Sequence, residues 1–194
     1  MKKQKLVFAT NNPHKLNEIS NIEDLNVEIV SLKDIGFNEE IPEDFDTLQE
    51  NALQKARIIH EKTGLDCFAD DTGLEIDALD GKPGVYSARY AGEPSNPEEN
   101  IKKVLAELSG KTNRKARFRT VIALILDGQE LFFEGIVEGE ILTEKNGADG
   151  FGYDPIFRPT GYSESFAEMS LEMKNKISHR ARAMRQLVNY LLGD

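Results

Sequence analysis

Two long β-rich segments, residues 118–126 and 130–142, meet at Asp127-Gly128, and that junction constrains the fold more than any other feature of the chain. Asp-Gly suits a two-residue hairpin turn with positive φ at both positions, so the two segments must run antiparallel. Elsewhere helix and strand patterns alternate. Residues 5–9 read as a buried strand and 10–12 as a turn. A helix follows from Pro13, with Asn12 as its cap, Pro13 in its first turn, and Leu16 and Ile19 on one face. Residues 27–32 predict a second strand. An acidic loop, 38–46, leads to a helix from about Thr47 to Thr63 that Gly64 stops. Residues 65–69 and the alternation of Leu74, Ile76 and Ala78 predict two short strands, with Asp70-Asp71-Thr72-Gly73 between them as a turn. Asn96-Pro97-Glu98-Glu99 opens a helix whose Ile101, Val104, Leu105 and Leu108 share a face. A last helix, from about Lys176 to Leu192, carries a stripe from Ile177 to Leu191.

An antiparallel ribbon inside a chain that begins β-α-β implies an α/β fold with an elongated mixed β-sheet flanked by helices, rather than a wholly parallel sheet. Two lobes with a central cleft suit it. The 194 residues, 39% of them hydrophobic, fit a single two-lobed domain, 1–194. No apolar run approaches the roughly 18 to 20 residues that span a bilayer. Lys2, Lys3 and Lys5 precede too short an apolar stretch for a signal peptide, so a cytoplasmic protein without membrane contact is expected. Cys67 is the only cysteine, which excludes an intrachain disulfide and a cysteine-based zinc cluster. With 24 Lys plus Arg against 34 Asp plus Glu, the net charge of −10 disfavours binding to a nucleic-acid backbone.

Four segments could carry chemistry. Phe8-Ala9-Thr10-Asn11-Asn12-Pro13-His14-Lys15 runs from a strand end into a helix N-terminus with a lysine in its first turn. That arrangement suits a phosphate, or is an ordinary cap. Asp70 and Asp71, with Glu43 in the acidic loop, could hold Mg2+, which takes one or two carboxylates and completes its shell with water and phosphate oxygens. Otherwise they form a solvated turn. In the stretch from Gly147 to Pro155, Phe151 or Tyr153 could stack on a planar base, or the glycines and aromatics could simply cap the core. Lys174, His179 and Arg180 form a local positive patch in an acidic chain, able to donate to ring or phosphate oxygens; the alternative is a solvated face with Ser178 as a cap. A Walker A loop, an EF-hand, a G-x-S-x-G elbow and zinc-type histidine spacing are all absent.

Six segments in order resemble the inosine triphosphate pyrophosphatase family: Phe8 through Lys15; Glu50-Asn51-Ala52 with Lys55-Ala56; Ala69-Asp70-Asp71-Thr72-Gly73-Leu74; Pro83-Gly84-Val85-Tyr86-Ser87-Ala88-Arg89-Tyr90; Gly150-Phe151-Gly152-Tyr153-Asp154-Pro155-Ile156-Phe157; and Ile177-Ser178-His179-Arg180. The resemblance implies Mg2+-dependent hydrolysis of ITP, dITP and XTP to the monophosphate and pyrophosphate, in a nucleotide cleft of a two-lobed homodimer. By position, Thr10, Asn11, Asn12 and Lys15 would hold the triphosphate. Glu43 and Asp71 would bind metal, with Asp71 the proton acceptor and Asp70 in support. Phe151 would stack on the base beside Gly152 and Tyr153, Asp154, Lys174, His179 and Arg180 would contact the nucleotide, and Thr72 would lie next to it. Glu43 is placed by its spacing to Thr47 and Asn51 within a loop that also holds Glu39, Glu40 and Asp44. Two rivals remain, a pyrophosphatase for modified pyrimidine or methylated nucleotides and a non-catalytic nucleotide-binding module.

Overall fold

The computed structural model describes residues 4–20 and 27–193; Lys2 and Lys3 fall outside them. In chain order the elements are β1 (Gln4–Phe8), α1 (Pro13–Ser20), β2 (Val27–Ser31), α2 (Leu48–Thr63), β3 (Cys67–Ile76), β4 (Pro83–Gly84), α3 (Pro97–Glu107), β5 (Lys115–Leu126), β6 (Gln129–Ile141), β7 (Phe157–Pro159), α4 (Leu171–Ile177) and α5 (His179–Leu192). The sheet order is β2-β1-β3-β5-β6-β7, with β4 pairing β3 off that path. β1 is parallel to β2 and β3, whereas β4 on β3 and β7 on β6 are antiparallel. The sheet is therefore mixed, and helices flank it. Asp127 and Gly128, at φ 49° and 75°, form the expected turn between β5 and β6.

Two expectations are corrected. Asp70-Asp71-Thr72-Gly73 is no turn: β3 runs unbroken from Cys67 to Ile76. Side chains, rather than local backbone N–H groups, balance the two carboxylates, so nothing forces the chain to bend there. The final helix is two helices. α4 starts from a Ser170 cap and stops at Ser178, whose ψ of 156° is extended, before α5 begins at His179. Exposed Leu171 and Met173 among charged neighbours left α4 without an apolar stripe.

The chain forms two compact units. The first holds the described residues up to Asp71, Thr120–Gly135 and those from Ala181; the second holds Thr72–Arg119 and Ile136–Arg180. In the first, alternate strand residues feed opposite helix layers, as a period of two requires. Leu6, Phe8, Phe68, Ile122 and Leu124 pack with Ile19 of α1 and Ala183, Met184 and Leu187 of α5. Val7, Cys67, Ala69, Ala123 and Ile125 pack with Ala52, Ala56 and Ile59 of α2. In the second, Phe118, Phe157 and Phe166 join Ile101 and Val104 of α3 and Leu108 at its C-terminal end. Among the described residues, no helix is long and apolar enough to cross a membrane.

Candidate active site

The first unit gathers three carboxylates and two lysines. The pleat sends Asp70 toward α1 and Asp71 toward α2, because neighbours on a strand face opposite sides. Accordingly Lys15 Nζ of α1 lies 2.8 Å from Asp70 Oδ1, and Lys55 Nζ of α2 lies 3.7 Å from Asp71 Oδ1. Lys55 also lies 2.5 Å from Glu43 Oε1. The acidic loop is fastened to α2. Asn51, fully buried, accepts from Phe45 N and donates to Phe45 O, while Gln54 bonds the backbone and carboxylate of Asp44. Glu39 instead pairs with Lys62, so Glu43 is the acid that Lys55 draws in. At the end of β1, Asn12 Oδ1 accepts from His14 N and Lys15 N, and Thr10 Oγ1 accepts from Asn12 N. Asn12 is thus the expected cap, and Asn11 is exposed beside it.

Burial, reinforced by Glu43 and Asp70, pushes the Asp71 carboxyl up to about 6 against the opposing pull of Lys55 and Lys15. The same carboxylates hold the Lys55 ammonium above its ordinary value despite its burial. Among the described residues no group of three or more His, Cys, Asp or Glu side chains converges on a metal position. Mg2+ does not need one, since one or two carboxylates with water and substrate phosphates complete its shell. Hard oxygen donors on Glu43 and Asp71, one of them strained by burial, fit such an ion.

The second unit holds a ring set among cations. Phe151 Cα follows Gly150, whose φ is +77° and where a Cβ would collide with Asp154 Oδ2. That carboxylate accepts from Phe151 N at 2.8 Å and from Lys174 Nζ at 2.7 Å. Lys174 Nζ lies 4.9 Å and the Arg180 guanidinium 5.8 Å from the centre of the Phe151 ring. Arg180, almost wholly buried, donates to Thr72 Oγ1 at 3.2 Å. His179 stacks on Phe118 at 4.6 Å, which fixes its ring plane. Gly152 takes φ +60°, and Tyr153 turns into the core with its hydroxyl on Ser87 O. Of the expected residues, Thr10, Asn11, Asn12, Lys15, Glu43, Asp70 and Asp71 lie in the first unit and the others in the second, with Tyr153 in the apolar core rather than beside the cations.

A family model for the Ham1 family matches residues 6–190. The chain belongs to the Ham1 family. A dITP/XTP pyrophosphatase of Porphyromonas gingivalis is 60% identical over 190 residues, covering 97% of this chain and 98% of the relative. Another, of Christiangramia forsetii, is 57% identical over 187 residues, covering 96% and 98%. The Ham1 protein of Staphylococcus aureus shares the fold with a TM-score of 0.89 at 38% identity, covering 98% of this chain and 99% of that one. A nucleoside-triphosphatase / dITP/XTP pyrophosphatase of Mycobacterium abscessus gives a TM-score of 0.78 at 42% identity, covering 95% and 99%. In this Ham1 chain, sequence reasoning gave Lys55 no role in the site although it stood in a quoted motif. Its i, i+4 spacing from Asn51, which puts both on one face of α2, is a signal that could have found it.

Proposed function

We propose that this chain hydrolyses the non-standard purine nucleoside triphosphates ITP, dITP and XTP to the monophosphate and pyrophosphate, with Mg2+, and so clears them from the nucleotide pool. The observation that carries the reading is the balancing of Asp70, Asp71 and Glu43 by Lys15 and Lys55. Such a set can receive a polyanion and a water nucleophile together, and relatives named dITP/XTP pyrophosphatase at 60% and 57% identity support the reaction and substrate class.

Glu43 and Asp71 would hold the metal, which when bound supplies Lewis-acid charge to phosphoryl oxygens. Asp71 accepts the proton of a water that attacks the α-phosphorus. The bond from that phosphorus to the bridging oxygen breaks, and pyrophosphate leaves with the electron pair. Lys15 and Lys55 neutralise the growing charge, while Thr10, Asn11 and Asn12 offer hydroxyl and amide groups to the phosphates. No covalent intermediate is needed, and Cys67 is no nucleophile, because burial pushes its thiol up to about 12. Phe151 stacks on the base. Lys174 and Arg180 carry only donors, which favours a purine 6-oxo group over the 6-amino group of adenine.

Pyrophosphate release from ITP, dITP, XTP, GTP and ATP, with Mg2+ and with EDTA, tests the proposal. Turnover confined to the first three and dependent on the metal is expected. Release from none of the five would overturn it in favour of a binding module.

A further inference from the structure

The segment from Pro83 to Tyr90 takes no part in the reaction above, yet its Ser87 is buried and bonded at both ends. The Ser87 hydroxyl donates to Gly84 O at 2.6 Å and accepts from Leu74 N at 2.9 Å, on the strand that carries Asp71 and Thr72. Its carbonyl accepts from Tyr153 Oη at 2.7 Å and from Asn100 Nδ2 at 3.4 Å. Asn100, also buried, donates to Ala88 O at 3.0 Å and accepts from Ala91 N at 2.7 Å, so the turn is held from α3 as well. The backbones are in close approach, because a Cβ on Gly73 would lie 2.7 Å from Gly84 O. Tyr153 itself is 5% exposed and packs in the apolar core two residues after Phe151. Burial also raises its phenol above the ordinary tyrosine value, which keeps the hydroxyl a donor.

We propose that Tyr153 is a positioning residue: its hydroxyl, anchored on the Ser87 carbonyl, fixes the Gly150-Phe151-Gly152 loop so that the Phe151 ring is presented to the purine. Resting on the reading of Phe151 as the base platform, this gives the Pro83-to-Tyr90 motif a purpose. Ser87 ties the platform loop to the strand of Thr72 through one hydroxyl and one carbonyl. A residue that acts through Phe151 must lose its influence when the Phe151 ring is gone.

Steady-state hydrolysis of ITP by Tyr153→Phe, Phe151→Ala and the double variant tests it. Tyr153→Phe deletes only the hydroxyl, and Asn100 still donates to the Ser87 carbonyl, so the variant keeps its fold. Loss of one buried hydrogen bond should raise KM about fivefold, with kcat within about twofold of the parent. In the Phe151→Ala background the same change should leave KM where Phe151→Ala alone puts it. An unchanged KM in Tyr153→Phe, beside a raised KM in Phe151→Ala, would overturn the positioning role and leave the platform standing. Effects that multiply in full in the double variant would also overturn it, in favour of an independent role. An unchanged KM in Phe151→Ala would overturn the platform reading and the positioning role together.

Discussion

Lys55 Nζ stands 3.7 Å from Oδ1 of Asp71, with the two side chains only 9% and 8% exposed, yet the ammonium does not restore an ordinary carboxyl. Desolvation is the largest influence on Asp71 and leaves it at about 6 rather than 3.8. An acid whose folded pKa exceeds its unfolded one binds more protons in the folded state between those values. Stability therefore falls as pH rises from about 4 to 6 and stays lowered above that window. Asp71→Asn removes the buried charge while Lys55 keeps Glu43 as partner. The variant is expected to have no turnover, to melt above the parent at pH 7 in EDTA, and to melt near it at pH 4. The gain at pH 7 should be of order 1 to 3 kcal/mol. Calorimetric melts at the two pH values check it, and equal melting at pH 7 would remove the buried-charge strain assigned to Asp71.

Asp70 faces the opposite layer, where Lys15 Nζ lies 2.8 Å from a carboxylate that is almost wholly buried. Removing one partner of such a pair leaves a poorly compensated charge. Lys15→Met should cost about 2 to 4 kcal/mol in urea unfolding, and Asp70→Asn in the same chain should recover part of it. If the double variant is as unstable as the sum of the two single ones, the pair is not coupled.

Base selectivity is expected to follow Arg180. Its guanidinium donates to Thr72 Oγ1 and lies 5.8 Å from the centre of the Phe151 ring. Arg180→Ala deletes donors that suit a 6-oxo purine, so the ITP over ATP ratio of kcat/KM should narrow by about tenfold, roughly 1.4 kcal/mol of discrimination. An unaltered ratio would move base reading to another side chain.

The sequence displayed most of this fold because its signals were local. Asn12 announced its cap, Asp127-Gly128 its hairpin, and the stripe of Ile101, Val104 and Leu108 its helix, and each is there in the structure. The two errors arose where distant contacts decide. Asp70-Asp71-Thr72-Gly73 has turn-like composition, but lysines 55 and 16 residues away in sequence stabilise its carboxylates and let β3 continue. Ser178 sits inside a helical pattern, and only its extended ψ of 156° separates α4 from α5. For the site, the motifs held Asp70, Asp71, Lys15 and the Phe151 segment and spacing placed Glu43, but Lys55, which faces Glu43 and Asp71, was given no role. Which carboxylate faces which lysine follows from the alternation of β3, and the reading of those residues as a turn concealed it.

Gly150 ties backbone conformation to the placement of Phe151. Its φ of +77° lies in the left-handed region, and a Cβ there would collide with Asp154 Oδ2. That oxygen accepts both the Phe151 N–H and the Lys174 ammonium, so the loop and the cation cannot keep their places if it moves. Gly150→Ala should therefore cost about 1 to 2 kcal/mol of stability from the positive φ alone. It should also raise KM for ITP by at least about tenfold through the displaced ring and lysine. The carboxylates proposed to hold metal belong to the other cluster, so metal-induced stabilisation of the nucleotide-free protein should be unchanged. Thermal melts with and without Mg2+, beside ITP kinetics, separate the two effects. A parent-like KM would mean that the Asp154 carboxylate does not hold the Phe151 loop in its working conformation.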